Sequence, residues 1–207
     1  MTGAQPLENS AVNNTKNDNK RKNLRTMNDI NECDGMDLSF NEASGLADIQ
    51  TISQLAEEIW HDHYRAIIGA EQVTYMLARF QNVNAIRSQI ASGYRYYLVC
   101  QKTEPLAYFA IVPDAQQRSL QISKLYVRAA WQRKGLGSRL IAFIEGYYEN
   151  QGFEQIWLTV NRHNRQAIDF YRRNKFINAG GLVQEIGGGF VMDDFKMVKN
   201  LSISTFP

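Results

Sequence analysis

Three apolar runs follow one another in the middle of the chain with very little between them. YRYYLVC (94–100), LAYFAIV (106–112) and SLQISKLYV (119–127) are separated by five and six residues. Parallel neighbours need a crossover of about a dozen residues or more, so runs this close pair as an antiparallel meander. Their aromatic and β-branched content favours strands over helices. Glu104–Pro105 is the expected first turn.

The remainder of the chain is arranged around this meander. Upstream, DLSFNEA (37–43) reads as a short strand. Leu46, Ile49, Ile52, Leu55, Ile59 and Trp60 recur near helical spacing and predict a helix over 46–67. Helical pattern continues over 70–80 and 83–92, with breaks at Gly69 and Gly93. Downstream, Leu136, Leu140, Ile144 and Tyr147 share one face of a helix over 135–150. A strand (155–160), a helix (165–173) and two strands (176–183 and 189–199) around a glycine turn at 187–189 complete the order. No internal repeat is evident. The expected class is mixed α/β (α+β), one domain over 37–207.

Residues 1–36 are dominated by Asn, Asp, Lys, Ser and Thr, with too few apolar side chains to offset the entropy of ordering. This segment is expected to be a disordered polar tail. Its Lys20–Arg21–Lys22 run reads as solvated or as a nucleic-acid contact, and Met27 and Met36 are further candidate starts. The two cysteines lie in unlike contexts, Cys33 in the tail and Cys100 in an apolar run. That argues against a disulfide framework and for a reducing cytoplasm. No metal-ligand spacing is present. No apolar run approaches the roughly 20 residues that span a bilayer, and the N-terminus lacks a signal-peptide core. The net charge of +2 hides an asymmetry: residues 37–90 carry 7 acidic and 3 basic side chains, and residues 118–175 carry 11 basic and 4 acidic. The basic half suggests an anionic partner and the acidic half a cation, with solvated helix faces as the plain alternative.

One stretch goes beyond architecture. After the strand ending near Val127 comes Gln132-x-x-Gly135-x-Gly137, and then a helix. The first turn of a helix presents backbone N–H groups without internal partners, and the helix dipole favours an anion there. Glycine allows a phosphate to approach the backbone closely. Arg133, Lys134 and Arg139 add full charges. The construction suits a pyrophosphate. It lacks P-loop spacing and the third glycine of the dinucleotide fingerprint.

ISKLYVRAAWQRKGLGSRLI together with LTVNRHNRQAIDFYRRNKF resembles the GNAT superfamily of N-acetyltransferases over roughly residues 37–200. The first stretch is similar to the family's acetyl-CoA signature, and the other is similar to its downstream Asn…Tyr helix. A weaker likeness is to the bacterial polyamine-acetyltransferase branch. The resemblance implies a central, mostly antiparallel twisted sheet flanked by helices, with a splayed parallel strand pair holding acetyl-CoA. It implies that backbone N–H groups of Arg133, Lys134, Gly135, Leu136, Gly137 and Ser138, introduced by Gln132, hold the pyrophosphate. The strand Leu125–Tyr126–Val127 would border the pantetheine arm, with backbone groups of Leu125 and Val127 pairing to it across a β-bulge. The Leu125 N–H would polarise the thioester carbonyl. Asn164 would cap its helix and touch the arm. Ala167 lies one turn before Tyr171 on the same face, and Tyr171 would protonate the leaving thiolate. Each has a plainer reading: Asn164 as a simple N-cap, Tyr171 as a core aromatic, Arg172 and Arg173 as a solvated face.

The chain departs from the family pattern twice. Lys175 stands where many members have Gly before Phe176, and Asn174 is expected to supply the left-handed helix end. The strand before the motif offers Gln121, Ser123 and Lys124 but no glutamate as general base. The amine proton is then expected to leave through His63, Asp62 or a backbone carbonyl. His63 and Tyr64, in WHDHYRAIIG, are the candidate acceptor wall. Glu57, Glu58 and Asp62 are weaker candidates for attracting a polyamine, with a solvated helix face as the plainer reading; Asp193 and Asp194 lie beside the glycine turn, where the resemblance implies a border of the acceptor site, with a simple turn or edge as the plainer reading. The leading expectation is acetyl transfer to a primary amine by direct attack, since no cysteine is placed as an acyl carrier. The acceptor is a small molecule or peptide amine. A polyamine, an aminoglycoside-like drug, an amino acid and a protein N-terminus all remain open. The alternatives are a non-catalytic acyl-CoA-binding module and, less favoured, a nucleic-acid binder. The resemblance also implies a possible homodimer.

Overall fold

The computed structural model describes residues 37–149 and 151–201. The polar tail 1–36, with Cys33 and both internal start candidates, lies outside the described residues. Seven strands form a single sheet: β1 (Leu38–Glu42), β2 (Arg95–Gln101), β3 (Glu104–Asp114), β4 (Ser119–Val127), β5 (Gln155–Asn161), β6 (Ile177–Gly187) and β7 (Phe190–Asn200). Their spatial order is β1-β2-β3-β4-β5-β7-β6. The meander β2–β3–β4 is antiparallel, and β4–β5 is the parallel pair. The helix between those two strands is the crossover that parallel pairing requires.

Helices cover both faces. On one side lie α1 (Leu46–His63), α2 (Arg65–Ile68), α3 (Ala70–Met76) and α4 (Val83–Ala91); on the other lie α5 (Leu136–Glu149) and α6 (Arg165–Arg173). The α1 residues Ile52, Leu55, Ala56 and Ile59 pack with Tyr96, Leu98, Tyr108 and Ala110 of the sheet. Leu136, Leu140, Phe143 and Ile144 of α5 pack with Val99, Phe109, Ile111 and Leu158. Strand β3 is central, so Leu106 to Ile111 are buried without alternation.

The helix expected over 46–67 is interrupted at Tyr64, and the one over 70–80 ends in a π-helical turn, Leu77–Gln81. Both glycine breaks occur as expected, Gly69 at φ +84° and Gly93 at φ +96°. Glu104–Pro105 is not a turn. Both residues open β3, and the turn falls at Lys102–Thr103, where Lys102 takes φ +55°. A register shift between Val99 and Cys100 accommodates the proline, which has no N–H for the ladder.

The end of α6 also corrects the sequence reading. Asn174 keeps φ −86° and donates through Nδ2 to the Phe170 carbonyl at 2.9 Å. The left-handed residue is Lys175, at φ +68°. A side chain in that region costs roughly 1–2 kcal/mol, partly offset by glycine's greater loss of backbone entropy on folding. Lys175→Gly is therefore expected to stabilise the fold by about 0.5–1 kcal/mol, read as a rise in denaturant midpoint at unchanged slope.

Candidate active site

The parallel pair is short. Strands β4 and β5 match only over Ser119–Gln121 and Gln155–Trp157. Beyond that point β4 still pairs with β3 up to Val127, and β5 still pairs with β7 up to Asn161. Each strand has kept its outer neighbour and lost its inner one. A bulge in β4 marks the parting: Ile122 faces Ile111 and Lys124 faces Ala110, so Ser123 has no partner.

Hydrogen-bonding direction alternates along an antiparallel strand. The Arg128 N–H donates to Leu106 O on the β3 side at 3.0 Å. Counting back from there, Tyr126 also faces β3, while the backbone groups of Val127 and Leu125 face the gap. The gap thus offers an extended ligand a strand edge to pair with. Gln132 already donates through Nε2 to Val127 O at 3.0 Å, which fastens the following loop to the strand end.

That loop leads into α5. The Arg139 N–H donates to Gly135 O, so Gly135 caps the helix. The N–H groups of Leu136, Gly137 and Ser138 precede the first intrahelical bond. Arg133 is held at φ +59° and Gly135 at φ +82°. A left-handed arginine beside such a helix start is backbone strain of the kind found at ligand sites. Gly137 is needed for a different reason: a Cβ there would stand 3.0 Å from Cζ of Phe170 on α6. Lys134 lies over the Trp131 ring, and the Leu136 side chain is buried in the core. Neither side chain lines the gap.

Gap and loop open into one cavity of about 710 Å³. It brings together His63, Tyr64, Leu125 to Val127, Gln132, Arg133, Gly135, Gly137, Ser138, Asn164, Ala167 and Tyr171, which are scattered through the sequence. Arg173 borders it, whereas Arg172 pairs with Asp169 on the surface. Asp62, Glu57 and Glu58 are exposed and do not line it. Glu58 is held by Arg128 at 2.7 Å, Glu42 by Arg95 at 2.6 Å, and Asp193 by Arg162 at 2.6 Å. Among these pairs Glu58–Arg128 joins the acidic half of the sequence to the basic one.

Among the described residues the buried polar or charged side chains are Gln81, Ser119, Lys124, Asn164 and Asp194, and the last three line the cavity. Asn164 caps α6, its Oδ1 accepting from the Ala167 N–H at 3.1 Å. That bond turns its Nδ2 toward His63 Nε2, 3.3 Å away. An amide nitrogen can only donate, so the Nε2 lone pair of His63 is engaged and its ring proton belongs on Nδ1. Burial holds His63 below its ordinary pKa. Burial, and then the neighbouring Tyr64, raise the Tyr171 hydroxyl well above its ordinary value, so it is a phenol with a proton to give. Tyr64 itself is pushed up to about 12, first by burial and then by the Asp194 charge.

Asp194 is the residue that sequence reasoning underrated. It is 4% exposed, lines the cavity, and is the one acidic side chain among the described lining residues. Burial raises its carboxyl to about 6, opposed by the Thr159 hydroxyl and reinforced by Asp193. The available signal was the alternation of β7, which puts Asp194 on the same sheet face as Met192 and Lys196. The hairpin beyond is tied to α3. Tyr75 Oη donates to Ile186 O at 2.7 Å, and Gln72 Nε2 donates to Val191 O at 3.2 Å.

A carboxyl whose pKa is raised on folding weakens the native state once it ionises. Between the ordinary value of 3.8 and about 6, the folded form holds a proton that the unfolded form has released, so stability falls as pH rises through this window. Asp194→Asn is therefore expected to be more stable than wild type above pH 6, by roughly 2–3 kcal/mol. The gain should vanish below about pH 4, when both forms of the wild type are protonated. Thermal unfolding of the two proteins from pH 4 to 8 measures this.

Similar proteins agree with this geometry. The model for the acetyltransferase (GNAT) family matches residues 52–176. An uncharacterised N-acetyltransferase encoded in the pepI 3′ region of Lactobacillus delbrueckii subsp. lactis is 27% identical over 131 residues, 60% of this chain and 76% of that one. The fold is similar to that of the PaiA N-acetyltransferase of Thermoplasma acidophilum in complex with coenzyme A, with a TM-score of 0.63 and 20% identity over 80% of this chain and 99% of that one. It is also similar to a point mutant of the spermidine N-acetyltransferase SpeG of Vibrio cholerae, with a TM-score of 0.58 and 18% identity over 79% and 94% of the chains. At such identities these likenesses establish the fold. Among the described residues no helix is long and apolar enough to cross a membrane. The splayed strand pair, the glycine loop and helix start that follow it and the family match over residues 52–176 lead to one conclusion: the chain belongs to the GNAT family of N-acetyltransferases, acyltransferases that draw on acetyl-CoA.

Proposed function

We propose that this enzyme transfers acetyl from acetyl-CoA to a primary amine by direct attack in a ternary complex. The single observation that carries the reading is the position of Leu125 and Tyr171. They line the same cavity, with the Leu125 backbone directed into the gap between β4 and β5.

The residues fit acetyl-CoA from one end of the cavity to the other. The N–H groups from Arg133 to Ser138 receive the pyrophosphate, with Arg133 and Arg173 at the mouth. The edge of β4 pairs the pantetheine arm, Ala167 leaves it room, and Asn164, oriented by His63, contacts it. The Leu125 N–H points where negative charge develops on the acetyl oxygen. The amine nitrogen forms the new C–N bond, the C–S bond breaks, and the Tyr171 hydroxyl protonates the departing sulfur. A cytoplasmic setting belongs to the same reading, since Cys100 is a free buried thiol.

Tyr171→Phe tests it. The expected outcome is a fall in kcat on the order of 10²-fold with CoA affinity unchanged, because only the proton is removed. Thiol release with an amine panel gives the rate, and calorimetry gives the CoA affinity. Tight CoA binding with no amine-dependent thiol release by the wild type would point instead to a non-catalytic acyl-CoA-binding module.

A further inference from the structure

We propose that Asp194 binds the acceptor's ammonium group and takes up its proton, and that the acceptor is a primary monoamine carried on an apolar body. This rests on the acetyl-transfer reading for the reaction itself. It rests on the shape and chemistry of the cavity for the acceptor.

The floor on the α1 side of the sheet is built by β4, β5 and β7. Asn161 of β5 lies opposite Asp194 of β7, and Thr159 lies opposite Lys196. Facing them are Trp60 of α1 and Tyr64 just beyond its end, stacked with ring centroids 4.6 Å apart. Tyr126 of β4 completes the corner, 5.5 Å from Trp60 and 5.9 Å from Tyr64. Beyond this aromatic corner the cavity continues between Ile59, Ile68, Met76 and Met192. A carboxylate beside aromatic rings is a recognition site for one ammonium group. The rest of that end is apolar apart from Gln72, whose amide nitrogen is taken up by Val191 O, and its two methionines adapt to varied shapes.

A polyamine has a different requirement. Its further ammonium groups would lie in the apolar end, where the described lining holds no second carboxylate. A buried charge without a partner is strongly disfavoured. Lys124, next to Leu125 on β4, lines the cavity as a cation and offers a further ammonium group no partner. Its Nζ turns away to Gln89 Oε1 at 2.8 Å and stands over the Tyr94 and Tyr96 rings. The ionisable groups around Asp194 are accounted for. Asp193, beside it on β7, is tied to Arg162; Lys196 lies over the Trp157 ring; Tyr64 faces it from the cap of α1; and His63, the last residue of α1, has its Nε2 engaged by Asn164. Asp194 is thus the group best placed to accept the proton that the family's strand glutamate would take.

The proton balance closes. The bound R–NH3+ gives one proton to the Asp194 carboxylate, which frees the nitrogen lone pair. The nitrogen bonds to the acetyl carbon and the C–S bond breaks. The sulfur takes its proton from Tyr171, and the Tyr171 oxygen recovers one from the newly acylated nitrogen. The amide and the free thiol leave, and Asp194 returns one proton to solvent.

The test titrates 2-phenylethylamine and spermidine by calorimetry into the CoA complexes of wild type and Asp194→Asn, and follows thiol release with acetyl-CoA in parallel. The expected result is tighter binding of 2-phenylethylamine than of spermidine by the wild type. The variant should lose at least about tenfold in that affinity and on the order of 10²-fold in kcat/KM. Unchanged CoA affinity shows that the variant is folded. Tighter binding of spermidine, no binding of 2-phenylethylamine, or full binding and turnover by Asp194→Asn each overturns the proposal. Asp194-dependent binding of 2-phenylethylamine without thiol release would keep the ammonium site and remove both the base role and the acetyl-transfer reading.

Discussion

The structure depends on the parting of two strands. Strands β4 and β5 share three residues of parallel pairing and then separate, while each stays paired to its outer neighbour. Unpaired backbone groups inside a domain are costly unless something satisfies them. Here they face a cavity that a ligand with its own amide groups can enter. The bulge at Ser123 sets where the parting begins. The loop from Gln132 to Gly135 and the start of α5 lie at the mouth of the same opening. One geometric event thus brings an extended groove, the N–H groups at the start of α5 and the backbone of Leu125 around one cavity.

The walls of the opening come from elements far apart in sequence, and they control where charge resides. Surface carboxylates on α1 and β1 are held by arginines, Glu58 by Arg128 and Glu42 by Arg95. Inside, the described lining has one acidic group, Asp194, among aromatic rings. In a region of low dielectric a few groups dominate the field. Asn164 shows how such groups are held: its oxygen caps α6 and its nitrogen orients His63. One side chain therefore fixes a helix start, a ring orientation and a wall of the cavity.

Some close contacts and one of the left-handed side chains lie near the cavity, while Lys102, Arg118 and Lys175 are left-handed elsewhere. Arg133 is left-handed at the anion loop, Gly137 has no room for a Cβ beside Phe170, and Gly188 lies so near Tyr75 that a Cβ would come within 2.8 Å. The first two shape the loop and helix start beside the cavity, and the third packs the β6–β7 hairpin against α3. Burying Asp194 is likewise unfavourable for the fold alone. Its position makes sense as a feature of the site.

Short-range patterns were legible without the structure. The spacing of the three central runs determined an antiparallel meander, because chain length forbids anything else. The glycines and cations after Val127 announced an anion-binding helix start, because orphan N–H groups are a local property. Asn164 as an N-cap followed from its residue type, and the helices over 46–67 and 135–150 from apolar periodicity. Other features came only from tertiary contacts. Lys175, not Asn174, is left-handed, because the exit from α6 is set by where β6 must begin. Asp194 looked like a turn residue beside a glycine run, and only the pairing of β7 with β5 brought it under Tyr64. His63 read as a free titrating group until α6 placed Asn164 against its Nε2. In each case the sequence determined the residue's chemistry, and the tertiary structure decided its neighbours, because burial and charge depend on distances that local spacing does not contain.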